Sequence, residues 1–283
     1  MSVVFLNDEF VDADHAKISV FDRGFLLGDG VYEVIPAYDD VLFRLDEHLN
    51  RLQKSLDEIR LENPYSLSKW KTTLNELVKR NSKADLSIYL QVTRGVAVRD
   101  HAFPANAKPT VFAMANQLIT ASGEKAAQGV AAITLNDNRW SRCNVKAISL
   151  LPNVLLRQEA VDQGVVEAIL IRDGEVTEGA ASNVFAVING EIITPPKSRH
   201  LLPGITRDLV VELAQIEQIP VAEKNITEAQ LKAADEVWLT SSTKEIMPVV
   251  QLDSTPVGDG KPGEIWQKMS IIYGQFKQSL RSN

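Results

Sequence analysis

The chain has 283 residues, 45% hydrophobic and 24% charged, with a formal net charge of -7 and one cysteine, Cys143. That length suits two domains of ordinary size, and the acidic balance is ill matched to a phosphate backbone or an anionic bilayer, so neither nucleic acid nor membrane is expected as a partner. One cysteine excludes an intramolecular disulfide and a thiolate metal cluster within the chain, which fits a reducing cytoplasm. Asp8 and Glu9 come too early for a signal peptide, and no apolar run is long enough for a membrane span.

Val3 to Leu6 reads as a strand that turns at Asn7-Asp8 and continues through Phe10-Val11. Phe21 to Val34 reads as a glycine-punctuated loop feeding a strand that presents Tyr32; Gly28 and Gly30 permit tight turns, and neither phosphate-loop nor dinucleotide-loop spacing is present. Asp39-Asp40 turns a hairpin into Val41 to Phe43. Asp46 is placed to cap a helix whose Leu49, Leu52, Leu56 and Ile59 form an apolar stripe. Arg51 lies beside that stripe, where helix arginines are commonly solvated or salt-bridged. A second helix carries Trp70, Leu74, Leu77 and Val78 on one face. Leu86, Ile88, Leu90 and Val92 then alternate with polar residues as a half-buried strand does. It ends at Thr93-Arg94-Gly95 and a loop with Arg99, Asp100 and His101. An arginine forks onto a carboxylate and a nearby histidine adds a donor, although exposed loop residues of these types are more often just solvated.

Val111 to Ala115 predicts another strand, and the small, lightly charged segment 119–128 predicts a linker between an N-terminal domain, 1–118, and a C-terminal domain, 129–283. Val130 to Leu135 is strand-like. Arg142 to Leu151 sets one lysine, Lys146, among short apolar and small polar residues. A desolvated lysine is a neutral amine that attacks carbonyls; a lysine ending a strand with its ammonium in water is the commoner arrangement. From Pro152 a helix with Val154, Leu155, Gln158 and Val161 on one side is expected to stop at Gly164. Asp173-Gly174 and Asn189-Gly190 suit type I′ hairpin turns. Between them, Glu178 precedes a run of small residues against which something flat can lie. This glutamate suits a protonated ring nitrogen, or else a plain strand end in water. Pro203 to Asp208 opens a helix whose N-terminus suits phosphate or carboxylate, with Gly204 letting a ligand approach the backbone. Thr227 and Gln230 form a capping-box pattern. The strand Glu236 to Leu239 runs into Thr240-Ser241-Ser242-Thr243, whose hydroxyls can serve anionic oxygens or simply make a turn. A last helix with Ile265, Met269, Ile272, Phe276 and Leu280 on one face reads as core or interface.

A lysine amine, a helix N-terminus with nearby hydroxyls, a carboxylate and an arginine are the groups a pyridoxal phosphate enzyme uses. Zinc and nucleotide-loop spacings are absent. The motifs Asp22-Arg23-Gly24, Gly28-Asp29-Gly30-Val31-Tyr32-Glu33, Glu47-His48 with Arg51-Leu52, Val92-Thr93-Arg94-Gly95, Arg142-Cys143 with Lys146, Thr177-Glu178-Gly179 with Ser182-Asn183-Val184-Phe185, Gly204-Ile205-Thr206-Arg207, and Ser241 with Glu245-Ile246 follow in order. By these the chain resembles the fold type IV pyridoxal phosphate aminotransferases over nearly its whole length, and within them the bacterial D-amino acid aminotransferases.

The resemblance implies an α/β (α+β) fold with a smaller N-terminal α/β domain and a larger C-terminal domain built on a mixed sheet with a barrel-like core. It implies pyridoxal 5'-phosphate as cofactor, no metal, and a homodimer with its active site at the subunit interface. Lys146 would be the Schiff-base lysine and the proton carrier, and Glu178 would keep the ring nitrogen protonated. Arg51, the backbone of Ile205 and Thr206, and the hydroxyls of Thr206, Ser241 and Ser242 would grip the phosphate, with Leu202 against the ring. Tyr32, Arg99 and His101 would bind the substrate carboxylate, the last two on a loop reaching in from the partner subunit. The implied reaction moves an amino group from D-alanine or a similar D-amino acid to a 2-oxo acid such as 2-oxoglutarate, by a ping-pong route through pyridoxamine phosphate. An aminodeoxychorismate lyase and a branched-chain L-amino acid aminotransferase of the same fold are the alternatives; a non-catalytic binding protein is opposed by the presence of Lys146. Ser242 stands where close relatives carry threonine and keeps the hydroxyl. Val96, Ala97, Val98 and Asp100 depart from the pattern, which leaves the side-chain preference open.

Overall fold

Period-two and period-3.6 patterns in the first part of the chain resolve into one antiparallel sheet with two long helices. The computed structural model describes residues 2–81, 84–119 and 128–281; the expected linker lies outside them apart from its end residues. The chain divides into two compact units, Met1–Leu118 with Val145–Leu150, and Ile119–Asn144 with Leu151–Ser282. The lysine segment, expected in the C-terminal domain, thus packs in the first unit.

The strands of the first unit are β1 (Val3–Leu6), β2 (Glu9–Asp12), β3 (Gly30–Tyr38), β4 (Val41–Leu42), β5 (Leu86–Thr93) and β6 (Thr110–Gln117), in the order β2-β1-β6-β5-β3-β4. The alternation in β5 turns Leu86, Ile88, Leu90 and Val92 inward. Helices α2 (Leu45–Glu58) and α3 (Leu67–Asn81) meet them with Leu49, Leu52, Leu56, Trp70, Leu74, Leu77 and Val78. Each such side chain, fully buried, stabilises the fold by about 1.5–3 kcal/mol. Phe21 to Leu27 is not simply loop: Arg23–Leu27 forms a short helix, α1, because the Asp22 carboxylate accepts the Gly24 N–H at 2.7 Å and Gly28 closes the turn at φ 65. Asp46 does not cap α2. Arg44, at φ 52, holds the cap position, and Asp46 sits inside the first turn, paired with Lys71 at 2.5 Å.

Val145–Leu150 runs beside β3. The Tyr32 N–H donates to the Lys146 carbonyl at 2.9 Å and the Ile148 N–H to the Gly30 carbonyl at 3.1 Å, while Val145 and Ala147 enter the core. The lysine's backbone is therefore fixed as an extra edge against β3.

The second unit holds β7 (Val130–Asn136), α4 (Leu151–Asp162), β8 (Glu167–Arg172), β9 (Glu175–Gly179), β10 (Asn183–Ile188), β11 (Glu191–Thr194), α5 (Ile205–Ile216), β12 (Val221–Glu223), α6 (Glu228–Lys232), β13 (Glu236–Ser241), β14 (Glu245–Leu252), β15 (Thr255–Pro256) and α7 (Glu264–Arg281). Its sheet is mixed, in the order β12-β11-β10-β13-β14-β7-β8-β9 with β15 beside β14, and the β11–β12, β14–β7 and β7–β8 pairs are parallel. Strands covered on both faces carry unbroken apolar runs, as Ala168 to Ile171 and Val184 to Val187 do. Both predicted hairpin turns form, with Asp173 and Gly174 at φ 53 and 81 and Asn189 and Gly190 at φ 51 and 78. The face of α4 that is buried is Leu156 and Ala160, packed on Ile133, Ala168 and Leu170, whereas Val154, Leu155 and Val161 are exposed. In α7 the buried stripe centres on Trp266, Met269 and Tyr273, with Ile265, Phe276 and Leu280 outside it.

Candidate active site

Lys146 is half-buried, and its Nζ stands 4.2 Å from the centroid of the Tyr32 ring. Tyr32 in turn stacks on Tyr89, with centroids 5.7 Å apart and ring planes at 27°. A ring face holds an ammonium by about 0.5–1 kcal/mol at an exposed site and more where water is thinned. The lysine is thus aimed by its neighbours, not merely extended into solvent.

Arg51 is buried on α2, where its Nε and one Nη each donate to an oxygen of Glu33 at 2.8 Å. His48 Nδ1 lies 2.8 Å from Glu33 Oε2. Burial pushes the Glu33 carboxyl up, but the Arg51 charge and the hydrogen bonds from Arg51 and His48 outweigh it and hold it at about 2. An ionised carboxylate only accepts, so His48 presents a proton on Nδ1; its own burial disfavours the charged ring. Glu33 fixes one edge of the Arg51 fork. His48 and Arg51 are three residues apart on α2, and that spacing was the available sign that both meet one partner.

In the second unit Glu178 is buried on β9. Arg139 Nη1 donates to its Oε1 at 2.5 Å; the Leu202 N–H and the Asn183 carboxamide reach its Oε2 at 3.0 and 3.4 Å. Arg139 is itself clamped by both oxygens of Asp137, at 2.9 and 3.0 Å, and donates to the His200 carbonyl at 3.2 Å. Burial raises Glu178 and Arg139 draws it back, leaving it at about 7, well above an ordinary carboxyl. Asp137 is held at about 2, because the Arg139 and Arg172 bonds and the Arg139 charge overcome its burial. The reading of Glu178 as a strand-end glutamate in water is therefore excluded. Arg139, Asp137 and Asn183 had received no role from the sequence; Arg139 meets Glu178 across 39 residues, a separation that leaves no local spacing.

The helix α5 starts at Ile205 and Thr206 with Gly204 at its cap, and no side chain caps it, so its first N–H groups suit an anion. Gly204 does not leave open space for a ligand. The room that glycine leaves at Gly204 is taken by the chain itself: a Cβ there would lie 2.0 Å from Asn183 Oδ1. Asn183 also donates to the Leu202 carbonyl at 2.8 Å and pairs across the sheet with Thr240. Asn183 thus gathers Glu178, Leu202, the α5 cap and the β13 end that leads to Ser241 and Ser242. Thr206 is buried, and Ser241 and Ser242 are partly exposed. The buried Thr240 hydroxyl finds no hydrogen-bond partner among the described residues, a cost of about 1–3 kcal/mol in a closed core. An uncapped helix, clustered hydroxyls and an unsatisfied buried oxygen fit a phosphate ester. The Glu178 carboxylate fits a pyridinium.

Arg99 and His101 are exposed, on the loop that follows β5. Among the described residues no group of three or more His, Cys, Asp or Glu could hold a metal ion, and no helix is long and apolar enough to cross a membrane.

The chain matches the family described as amino-transferase class IV over residues 30–252. It is a class IV aminotransferase. This aminotransferase is 41% identical to the D-alanine aminotransferase of Staphylococcus haemolyticus over 283 residues, covering 100% of each chain. Its fold is similar to that of the branched-chain amino acid aminotransferase of Escherichia coli, with a TM-score of 0.89 and 28% identity, covering 95% of this chain and 92% of that one. It is about as similar to the T.th. branched-chain amino acid aminotransferase solved with pyridoxamine 5'-phosphate, with a TM-score of 0.88, 29% identity, and 96% and 92% coverage.

Proposed function

We propose that this aminotransferase uses pyridoxal 5'-phosphate to move the amino group of D-alanine or a similar D-amino acid to a 2-oxo acid such as 2-oxoglutarate. The observation that carries the chemistry is the Glu178 carboxylate, buried and held on both oxygens by Arg139, Leu202 and Asn183. When bound, the cofactor withdraws electrons from the substrate's α carbon, provided that its ring nitrogen keeps a proton. Glu178 would hold that proton. Lys146 would bond the cofactor and carry the proton to and from the substrate, with Tyr32 beside its Nζ. Arg51, Ile205, Thr206, Ser241 and Ser242 would bind the phosphate and Leu202 would pack on the ring. Tyr32, Arg99 and His101 would take the substrate carboxylate, which sets which face of the α carbon meets Lys146.

The D-amino acid reading is supported by the full-length likeness to D-alanine aminotransferase and by the Arg99–His101 loop. The branched-chain reading draws on the solved structures, at lower identity. Supplying D-alanine, L-leucine and other D- and L-amino acids singly to the loaded enzyme, and following the cofactor's absorbance, tests the choice. Conversion by D-alanine is expected; conversion by L-leucine with none by D-alanine would overturn it. A homodimer and a cytoplasmic location belong to the same proposal. The dimer is supported by the exposed apolar residues Leu151, Val154 and Leu155 on α4, the location by the lone unbridged Cys143.

A further inference from the structure

The loop that carries Arg99 and His101 is exposed, yet it is fastened from beneath by a buried arginine. Arg23, in the first turn of α1, is 2% exposed. Its Nη1 donates to the Asp100 carbonyl at 2.6 Å and to the Ala102 carbonyl at 3.3 Å, the carbonyls of the two residues that flank His101. Its Nε donates to Asp29 at 2.7 Å, and Asp29 also accepts from Arg94 at 2.8 Å. Burial pushes the Asp29 carboxyl up, but the hydrogen bonds and charges of Arg94 and Arg23 keep it below its ordinary range, so the pairing stays ionic. Arg94 lies 3.7 Å from the centroid of the Phe103 ring, and its other nitrogens donate to the Ile59 and Arg60 carbonyls at 2.8 and 3.2 Å. The near end of the loop is pinned as well. The Arg23 N–H donates to the Gly95 carbonyl, and Asp22 accepts the Thr93 and Thr110 hydroxyls at 3.1 and 2.6 Å.

We infer that Arg23 is a positioning residue for substrate binding: through the Asp100 and Ala102 carbonyls it fixes the peptide on which His101 and Arg99 are presented. An apolar side chain would fill the same space. Only a guanidinium fork satisfies a carboxylate on one side and two carbonyls on the other, which an ammonium cannot span. The inference rests on the reading that Arg99 and His101 bind the substrate carboxylate, and its test separates the two ideas.

The variants are Arg23→Met, Arg23→Lys and Arg99→Ala, each as the cofactor-loaded enzyme. Amide hydrogen exchange across residues 98–103 and the KM and kcat for D-alanine and 2-oxoglutarate are measured. Arg23→Met is expected to speed exchange in that loop and to raise both KM values by roughly ten- to a hundredfold, with a smaller change in kcat and full cofactor retention. Arg23→Lys should fall between, and it serves as the reading if the methionine variant fails to fold. Combined with Arg99→Ala, the Arg23 change should add little further to KM. Unaltered exchange in 98–103 would overturn the inference whatever the kinetics. So would faster exchange with unaltered KM in a protein whose Arg99→Ala variant does raise KM. If Arg99→Ala itself leaves KM unchanged, the reading of the loop as a substrate arm is what has failed, and the role of Arg23 in binding falls with it.

Discussion

In the proposed role Glu178 would carry a negative charge where burial opposes one. Its carboxyl sits at about 7, against 4.5 for a free glutamate, with Arg139 already pulling downward. Between those values the folded chain holds a proton that the unfolded chain has released, so this group's contribution to stability falls as pH rises from 4.5 through 7. Function runs the other way, because an ion is needed beside a pyridinium. Replacing Arg139 with methionine removes the opposing charge and should push the carboxyl higher still. The acid limb of the kcat/KM profile should then move to higher pH, with Arg139→Lys moving it less; an unmoved limb would show that Arg139 does not act through Glu178. Glu33 is the contrasting case. Held at about 2, it contributes roughly 3 kcal/mol of stability above pH 4.5, which is lost as pH falls through 2. Glu33→Gln leaves Arg51 without its buried counter-charge and should cost about 3–5 kcal/mol. In urea unfolding the deficit against the parent should narrow below pH 4.5, and a constant gap at all pH would point to packing instead.

Helix and strand ends would carry the proposed site, and their fine geometry is where the sequence was least readable. The α2 stripe and the β5 alternation were legible because each pattern repeats within a few residues. The five-residue α1 is too short to show a period, and only its Asp22 cap and Gly28 stop marked it. At α5 the helix start was legible, but the reason for Gly204 was not: the atom it makes room for belongs to Asn183, 21 positions earlier by number. Gly204 has an ordinary extended φ of -71, so an alanine there is penalised only by that clash. Gly204→Ala should therefore displace Asn183, loosen Glu178 and Leu202, and cost about 1–3 kcal/mol in thermal unfolding, with weaker cofactor retention. Trimming the obstructing side chain with Asn183→Ala should recover part of the Gly204→Ala stability loss. Strictly additive losses would mean that the clash is not the cause.

At the scale of the molecule, the proposed homodimer would have each site completed by the partner subunit, and two features bear on that proposal. On α4, Leu151, Val154 and Leu155 are 68%, 58% and 56% exposed, although the sequence pattern alone gave no means of telling a core face from an interface face, since both are apolar. Arg99 and His101, meanwhile, stand on an exposed loop held by Arg23. Both would suit the proposed two-fold dimer, in which each subunit would lend its loop to the other. Lys146→Ala should abolish turnover by orders of magnitude, and Arg99→Ala should be nearly inactive at low substrate. Mixed after reversible dissociation, the two variants form hybrids in which one site joins an intact lysine to an intact loop. Such a mixture should regain about a quarter of the parental activity, since half the dimers are hybrids with one working site of two. If each loop serves its own chain instead, no hybrid has a complete site and no activity returns, while sedimentation of the parent as a monomer would remove the premise.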